Sequence, residues 1–324
     1  MFRMTRYFLM LSLFITMLAG IVWAQDKYPE RSIQVVIPYS PGGSLDLATR
    51  VLVDPMAKVL GQPLIPLNKP GAGGYIGGGF LVNSKPDGYT VGIFANTQAL
   101  PEVLAKLRPA SYSSKDLQPV ANWSGWLVTL VVRSDAPYKS FKEFVEFGRK
   151  NPSPLRFGHP GVGNSYWQVG LAIAKETGIK LKEIPFNSEG EYLPALLGNH
   201  IDVGVMTYGG SIREHVQAKT LRVLCTFEKK RLEELPDVPT VGELGFHYDF
   251  GNFIIGTFLP KGVPKNIVAR LSEATKKVTE DPEFKDKMNK LNMPINYLDT
   301  KDFEALLERN MRIRADFLKE KGLL

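Results

Sequence analysis

One cysteine, Cys225, stands among 324 residues, so the chain can form no internal disulfide. It lies in Leu221-Arg222-Val223-Leu224-Cys225, an apolar run that reads as a buried strand and makes the thiol core filler rather than nucleophile. Histidine is scarce too. His159, His200, His215 and His247 are dispersed, with no two at metal-ligand spacing and no thiolate to assist them. No metal and no cofactor is expected. A nucleophile elbow is missing as well, because Gly42-Gly43-Ser44-Leu45-Asp46 and Gly209-Gly210-Ser211-Ile212-Arg213 each lack the final glycine of Gly-x-Ser-x-Gly. Asp202 and Glu189 make a conceivable carboxylate pair, but Asp202 sits beside Ile201 in a strand pattern, where a turn or cap role suits it better. No catalytic residue is assigned.

Charge of one sign is not concentrated anywhere. Lys and Arg number 40 against 33 Asp and Glu, a net charge of +7, and the basic residues are mixed with acids, as in 139–150 and 276–290, where solvated helix faces are expected. This is no nucleic-acid stripe. Long apolar runs are also lacking beyond the amino terminus. There, Arg3 and Arg6 precede an apolar stretch from Tyr7 to Val22, followed by Trp23-Ala24 and the polar Gln25-Asp26-Lys27. That order reads as a cleaved signal peptide over residues 1–24, with an apolar region too short for a comfortable span. No cysteine lies near the cleavage point, so the exported protein is expected to be free rather than lipid-anchored.

What remains is long enough for two domains, and it is organised around Ile33-Gln34-Val35-Val36-Ile37-Pro38-Tyr39-Ser40-Pro41-Gly42-Gly43-Ser44-Leu45-Asp46. This reads as a buried strand, a Pro/Gly turn and a helix start. Gly42-Gly43 lets the backbone approach another molecule, and the free amides of a helix amino end favour carboxylate or phosphate oxygens. The helix that follows should kink or split at Pro55. The glycine cluster Pro70-Gly71-Ala72-Gly73-Gly74-Tyr75-Ile76-Gly77 fails as a dinucleotide fingerprint, because Ile76 stands where the third glycine belongs. Thr90 to Ala95 is a further strand, ending in the polar Asn96-Thr97-Gln98. Alternating strands and helices predict a doubly wound α/β pattern.

A long β-like run from Val120 to Val132 then suits a chain passing between domains. Leu155-Arg156-Phe157-Gly158-His159-Pro160-Gly161-Val162-Gly163-Asn164-Ser165 repeats the strand, Pro-Gly turn and helix start, 120 residues after the first copy, one per domain. The strand Ile201 to Met206 closes in Thr207-Tyr208-Gly209-Gly210-Ser211, whose donors can face the same crevice. Phe253 to Leu259 is the second crossing strand. The carboxyl-terminal part is helical, with Ile267, Leu271, Ala274 and Val278 on one face and Phe303, Leu307, Ile313 and Phe317 on another. Two crossings allow two lobes to hinge and close.

Pro38 to Asp46, Asn68 to Gly74, Pro86-Asp87-Gly88-Tyr89-Thr90, Gly161 to Ser165, Leu196-Leu197-Gly198-Asn199-His200-Ile201-Asp202-Val203 and Leu235-Pro236-Asp237-Val238-Pro239-Thr240 together resemble the tripartite tricarboxylate transporter receptor family, also called Bug or TctC-like proteins. The resemblance covers nearly all of the chain beyond the signal. It implies the type II periplasmic-binding-protein fold: two doubly wound α/β lobes, residues 25–125 plus 249–324 and residues 126–248, joined by two crossing strands. It also implies a monomeric periplasmic receptor that passes a small carboxylate to a membrane permease of one large and one small subunit. An exported sensor co-receptor would need the same closing lobes.

Carried onto this chain, the family's binding loops fall on Tyr39, Ser40, Gly42, Gly43, Ser44 and Asp46 in the first lobe and on Gly161, Val162, Gly163, Asn164 and Ser165 in the second. Asn96 and Thr97 line the first side, Thr207 and Tyr208 the second. Three roles fit Asp46: capping its helix, holding a bridging water, or pairing with a cationic group on an amino-acid-like ligand. The chain departs from the family pattern at His159, where many relatives have a small residue. A second departure is Asn187-Ser188-Glu189-Gly190-Glu191, whose two acids disfavour a second anionic end on that side and weaken the case for a tricarboxylate. Trp123, Trp126 and Trp167 offer a possible apolar wall, with core positions expected for most of them.

Overall fold

A computed structural model describes residues 28–105, 109–246 and 251–323; the expected signal peptide, residues 1–24, lies outside them. Eleven strands among these residues form two sheets. The first contains β1 (Ile33–Ile37), β2 (Leu64–Asn68), β3 (Thr90–Phe94), β4 (Leu117–Ser124), β10 (Ile255–Pro260) and β11 (Ile295–Leu298), in the order β11-β4-β10-β3-β1-β2. The second contains β5 (Val128–Arg133), β6 (Leu155–His159), β7 (Leu181–Pro185), β8 (Val203–Thr207) and β9 (Leu221–Thr226), in the order β7-β6-β8-β5-β9. β1 pairs in parallel with β2 and β3, and β6 with β7 and β8. β10 runs antiparallel between β3 and β4, as β5 does between β8 and β9. The first sheet is thus a parallel core with two opposed strands, β10 and the edge strand β11, and the second a parallel core with one, β5, the mixed arrangement of a two-lobed α/β protein.

Local chemistry accounts for most of these elements. β1 is buried except at Gln34, because helices cover both faces of a parallel strand. β2 tolerates Pro66 since it is an edge strand and its outer N–H groups face no partner. Helix α1 (Ser44–Leu60) is continuous through Pro55, so it is not split there. A proline removes one helical hydrogen bond, and burial of Leu52, Val53 and Met56 on either side holds the helix together.

Two further corrections follow from packing. The run from Val120 to Val132 is not one strand: β4 and β5 belong to different sheets, and Gly125-Trp126-Leu127 connects them. A single straight strand could not serve two sheets, so the crossing is concentrated in three residues. The return passage lies between Thr226 and Ile255. In α10 (Thr300–Glu320) the buried stripe runs Phe303, Leu307, Asn310, Arg314 and Phe317, so Arg314 takes the inward position expected for Ile313. Spacings of four and three residues place 314 over 310, whereas 313 lies off that face.

The carboxyl-terminal helices α8 (Lys265–Glu280) and α9 (Pro282–Lys290) pack on α1. α10 packs on β4, where Thr300 Oγ1 donates to Val120 O. It also reaches the second sheet's layer, because Lys321 pairs with Glu176 and Arg314 donates to Ser165. Among the described residues no helix is long and apolar enough to cross a membrane.

Candidate functional site

The two Pro-Gly loops occupy equivalent places, each at the carboxyl end of a parallel strand and ahead of a helix amino end. After β1, Gly42 adopts φ +84° and Gly43 becomes the N-cap of α1, with no side chain capping the helix. The first-turn amides are therefore open to an outside acceptor. After β6, Gly161 and Gly163 adopt φ +102° and +90°. Asn164 then caps α5 (Ser165–Thr177) by accepting the amide of Tyr166 at 2.7 Å.

Each loop meets a glycine-containing segment of the other sheet, residues 187–190 for the first and residues 71–74 for the second. Ser40 N donates to Asn187 O across the sheets at 3.3 Å. A Cβ on Gly43 would lie 3.2 Å from Ser188 Cβ, and one on Gly161 would lie 2.9 Å from Gly73 Cα. Backbone approaches backbone most closely where Gly161 meets Gly73 and Gly190 meets Gly42, an approach that a side chain at these glycines would block.

Behind the seam is a cavity offering about 40 Å³ to the centre of a water-sized sphere, enough for a few waters or the polar end of a small ligand. Tyr39, Gly43, Ser44, Asn96 and Thr97 line it from the first sheet's loops, Asn164 and Ser165 from the second's. The remaining residues expected at the site stand elsewhere. Ser40 forms the seam bond just described, Gly42 and Gly161 meet Gly190 and Gly73, Val162 follows Gly161 in that contact, and Gly163 O accepts from Gln168. Thr207 lies one bond behind the wall: its hydroxyl is 2.5 Å from Tyr166 OH. The Tyr208 hydroxyl donates to Glu234.

Asp46 is buried behind the first loop. Its carboxylate accepts the Gly42 amide at 3.0 Å, Arg50 Nε at 2.9 Å and Asn68 Nδ2 at 3.0 Å. It therefore fixes the loop before the helix instead of accepting a first-turn amide, and its cationic partner is Arg50. Burial opposes ionisation here, but the donors from Arg50, Gly42 and Asn68 outweigh it and hold the carboxyl below the ordinary range.

Tyr39 is the polar hub. Its hydroxyl accepts from Gln98 Nε2 at 2.9 Å and from Asn164 Nδ2 at 2.6 Å, leaving its own proton for a third partner. Burial pushes the phenol up to about 12, so it stays neutral. Ser165 N donates to Thr97 Oγ1 at 3.2 Å, a further bond between the lobes' loops. Asn96 lines the cavity but commits its side chain to Ile254 N and Asn252 O, tying the return passage to the site. His159 lies fully buried at the end of β6, where burial lowers its basicity and keeps the ring neutral.

Further wall residues lie outside the two loops, and of the three tryptophans offered as an apolar wall Trp126 takes that place. Trp126 and Phe253, one from each passage between the sheets, line the cavity with Tyr166, Ser188 and Glu189. Trp123 instead packs edge-on against Phe284, and Trp167 Nε1 donates to Glu183. Gln98 and Gly73 act one layer back. The available signal for Ser188 and Glu189 was their place: they follow β7 and open α6 (Glu189–Leu197) at the carboxyl end of a parallel strand. Among the described residues no group of three His, Cys, Asp or Glu side chains is arranged to hold a metal.

Residues 48–323 match the model of the family described as "Tripartite tricarboxylate transporter family receptor". The chain is 32% identical over 305 residues to the UPF0065 protein in the gbd 5' region of Cupriavidus necator, covering 92% of this chain and 90% of that one. Among solved structures, the periplasmic binding protein BugD is 25% identical with a TM-score of 0.85, covering 91% of this chain and 99% of BugD. MatC from Rhodopseudomonas palustris with bound malate is 25% identical with a TM-score of 0.83, covering 89% and 99%.

Proposed function

Because the chain belongs to the tripartite tricarboxylate transporter receptor family, we propose that it is a periplasmic solute receptor that closes on a small carboxylate and presents the closed form to a membrane permease of one large and one small subunit. The observation that carries this reading is the convergence of two glycine loops, Pro41–Gly43 ahead of α1 and Pro160–Gly163 ahead of α5, on one cavity between two sheets. Amides and hydroxyls there suit carboxylate oxygens. MatC, a relative of the same fold, holds malate, a ligand of this class. In this reading the protein binds its ligand without transforming it, as a member of a family of receptors.

In this reading residues 1–24 are an export signal that is cleaved, residues 25–125 plus 249–324 form one lobe, and residues 126–248 form the other. The mature protein is a monomer. Tyr39, Gly43, Ser44, Asn96, Thr97, Asn164 and Ser165 meet the ligand or its waters, while Ser40, Gly42, Asp46, Gly161, Val162, Gly163, Thr207 and Tyr208 shape the closed seam around it. Contacts from both lobes are what favour closure, because a ligand shifts an equilibrium only by its difference in affinity for the two states.

The test is a thermal-shift screen of the chain from Gln25 onward against carboxylates, sugars, phosphates and nucleotides. A ligand at about a hundred times its dissociation constant adds about 2.7 kcal/mol, or about 4 °C for a chain of this size. A shift with at least one carboxylate is expected. A shift confined to phosphates, nucleotides or sugars would overturn the assignment.

A further inference from the structure

The cavity carries a carboxylate of its own. Glu189, the first residue of α6, accepts Thr207 N at 2.5 Å through Oε1 and Ser44 N at 3.4 Å through Oε2. Ser44 belongs to the first sheet's helix α1, and Thr207 ends β8 in the second sheet. Glu189 therefore already bridges the two lobes at the open amide of α1, the donor expected to serve a ligand. Glu191, the other acid of this stretch, turns away and accepts the backbone and side-chain N–H of Asn187.

Two backbone amides converge on Glu189, one from each lobe and one to each oxygen. An ionised carboxylate accepts both amides and keeps a free lone pair on each oxygen. Burial raises its affinity for a proton, and the donors from Ser44 and Thr207 offset that only in part. Beside it, Ser188 Oγ is 2% exposed, lines the same cavity and has no hydrogen-bond partner among the described residues. The cavity thus presents two acceptors side by side. Another part of the wall is backed by a cation that does not itself line the cavity. Ser165 Oγ accepts from Arg314 at 3.0 Å, and the guanidinium, 2% exposed, stands 5.2 Å from the centroid of Phe253, also on the wall.

From this bipolar wall, and resting on the carboxylate-receptor reading, we infer that Glu189 sets the specificity of the site and selects an amino-carboxylate, with its ammonium toward Glu189 and Ser188 and its carboxylate toward Ser165 and Arg314. A second ligand carboxylate at the Glu189 end would place two like charges in a small dry space, where they cannot both remain ionised. An ammonium there has three N–H donors for the waiting acceptors. Di- and tricarboxylates are consequently rejected.

Isothermal titration of the mature protein with length-matched pairs tests this: β-alanine against malonate, 4-aminobutyrate against succinate, 5-aminopentanoate against glutarate, and glycine and alanine beside acetate and propionate. At least one amino-carboxylate is expected to bind tenfold or more tightly than its partner, and Glu189→Gln should reduce that ratio at least tenfold. A wild type that binds a dicarboxylate as tightly as its amino partner overturns the inference and leaves the carboxylate receptor standing. An unchanged ratio in folded Glu189→Gln overturns it too. Where that variant does not fold, the wild-type ratios decide. Heat from none of these carboxylates would count against both readings.

Discussion

The hydroxyl of Tyr39 accepts Asn164 Nδ2 at 2.6 Å, and that bond joins the loop after β1 to the cap of α5. The two residues are 125 positions apart and belong to different sheets. A bond made only when the lobes are closed contributes to closure and not to the folding of either lobe. Tyr39→Phe removes the acceptor that Asn164 and Gln98 share, at about 1–3 kcal/mol for each buried donor left unsatisfied. Water can satisfy Asn164 in an open cleft, so its share of the cost falls on the closed state. Ligand affinity measured by calorimetry should fall about tenfold, equivalent to about 1.4 kcal/mol. The melting point of ligand-free protein should fall less than that of ligand-saturated protein. Unchanged affinity would show that the bond is not part of the bound form.

The seam itself can be tested with glycine. Gly43 has φ −80° and ψ 164°, a conformation that valine adopts readily, so Gly43→Val should fold normally. Its side chain would press on Ser188 and the amide of Glu189 across the seam. Binding should weaken at least tenfold with little change in the ligand-free melting point. Gly163→Val is the informative contrast. At φ +90° a branched residue is strained by about 1–3 kcal/mol, so this variant should lose stability as well as binding. Wild-type affinity in Gly43→Val would remove the seam from the binding mechanism.

The two glycine loops were legible in the sequence because their signal is local: strand, Pro-Gly turn and helix start lie within about a dozen residues. Both sheets' parallel cores were legible for the same reason. What a linear reading could not supply was which distant side chains converge on those loops. Gln98 serves Tyr39 from another connection, and Gly73 meets Gly161 across the seam. Arg314 reaches Ser165 from the last helix, where periodicity favoured its apolar neighbour Ile313. The acid at Glu189 was visible as a departure in charge. Its contact with Ser44 depends on two sheets being brought together, and no local pattern encodes that.

Asp46 gives a prediction about pH. Its carboxylate is held below the ordinary range because Arg50, Gly42 and Asn68 outweigh the cost of burial. A carboxyl whose folded pKa lies below its unfolded value stabilises the protein fully above the unfolded value, about 3.9, and loses that contribution as pH falls through the folded value. Asp46→Asn keeps the shape but leaves one acceptor oxygen for three donors, so the variant should be about 1–3 kcal/mol less stable at pH 7. The gap between the two proteins should narrow as pH is lowered from 4 toward 2, since the wild type then loses the charge that the variant never had. Urea midpoints at a series of pH values measure it. Asp202, held low by Arg156, contributes an acid-side loss of the same sign, and Glu189, raised by burial, one of the opposite sign. Both are present in wild type and variant alike, so the difference isolates Asp46. A gap that stays constant down to pH 2 would mean that the ionised form of Asp46 is not what stabilises the loop.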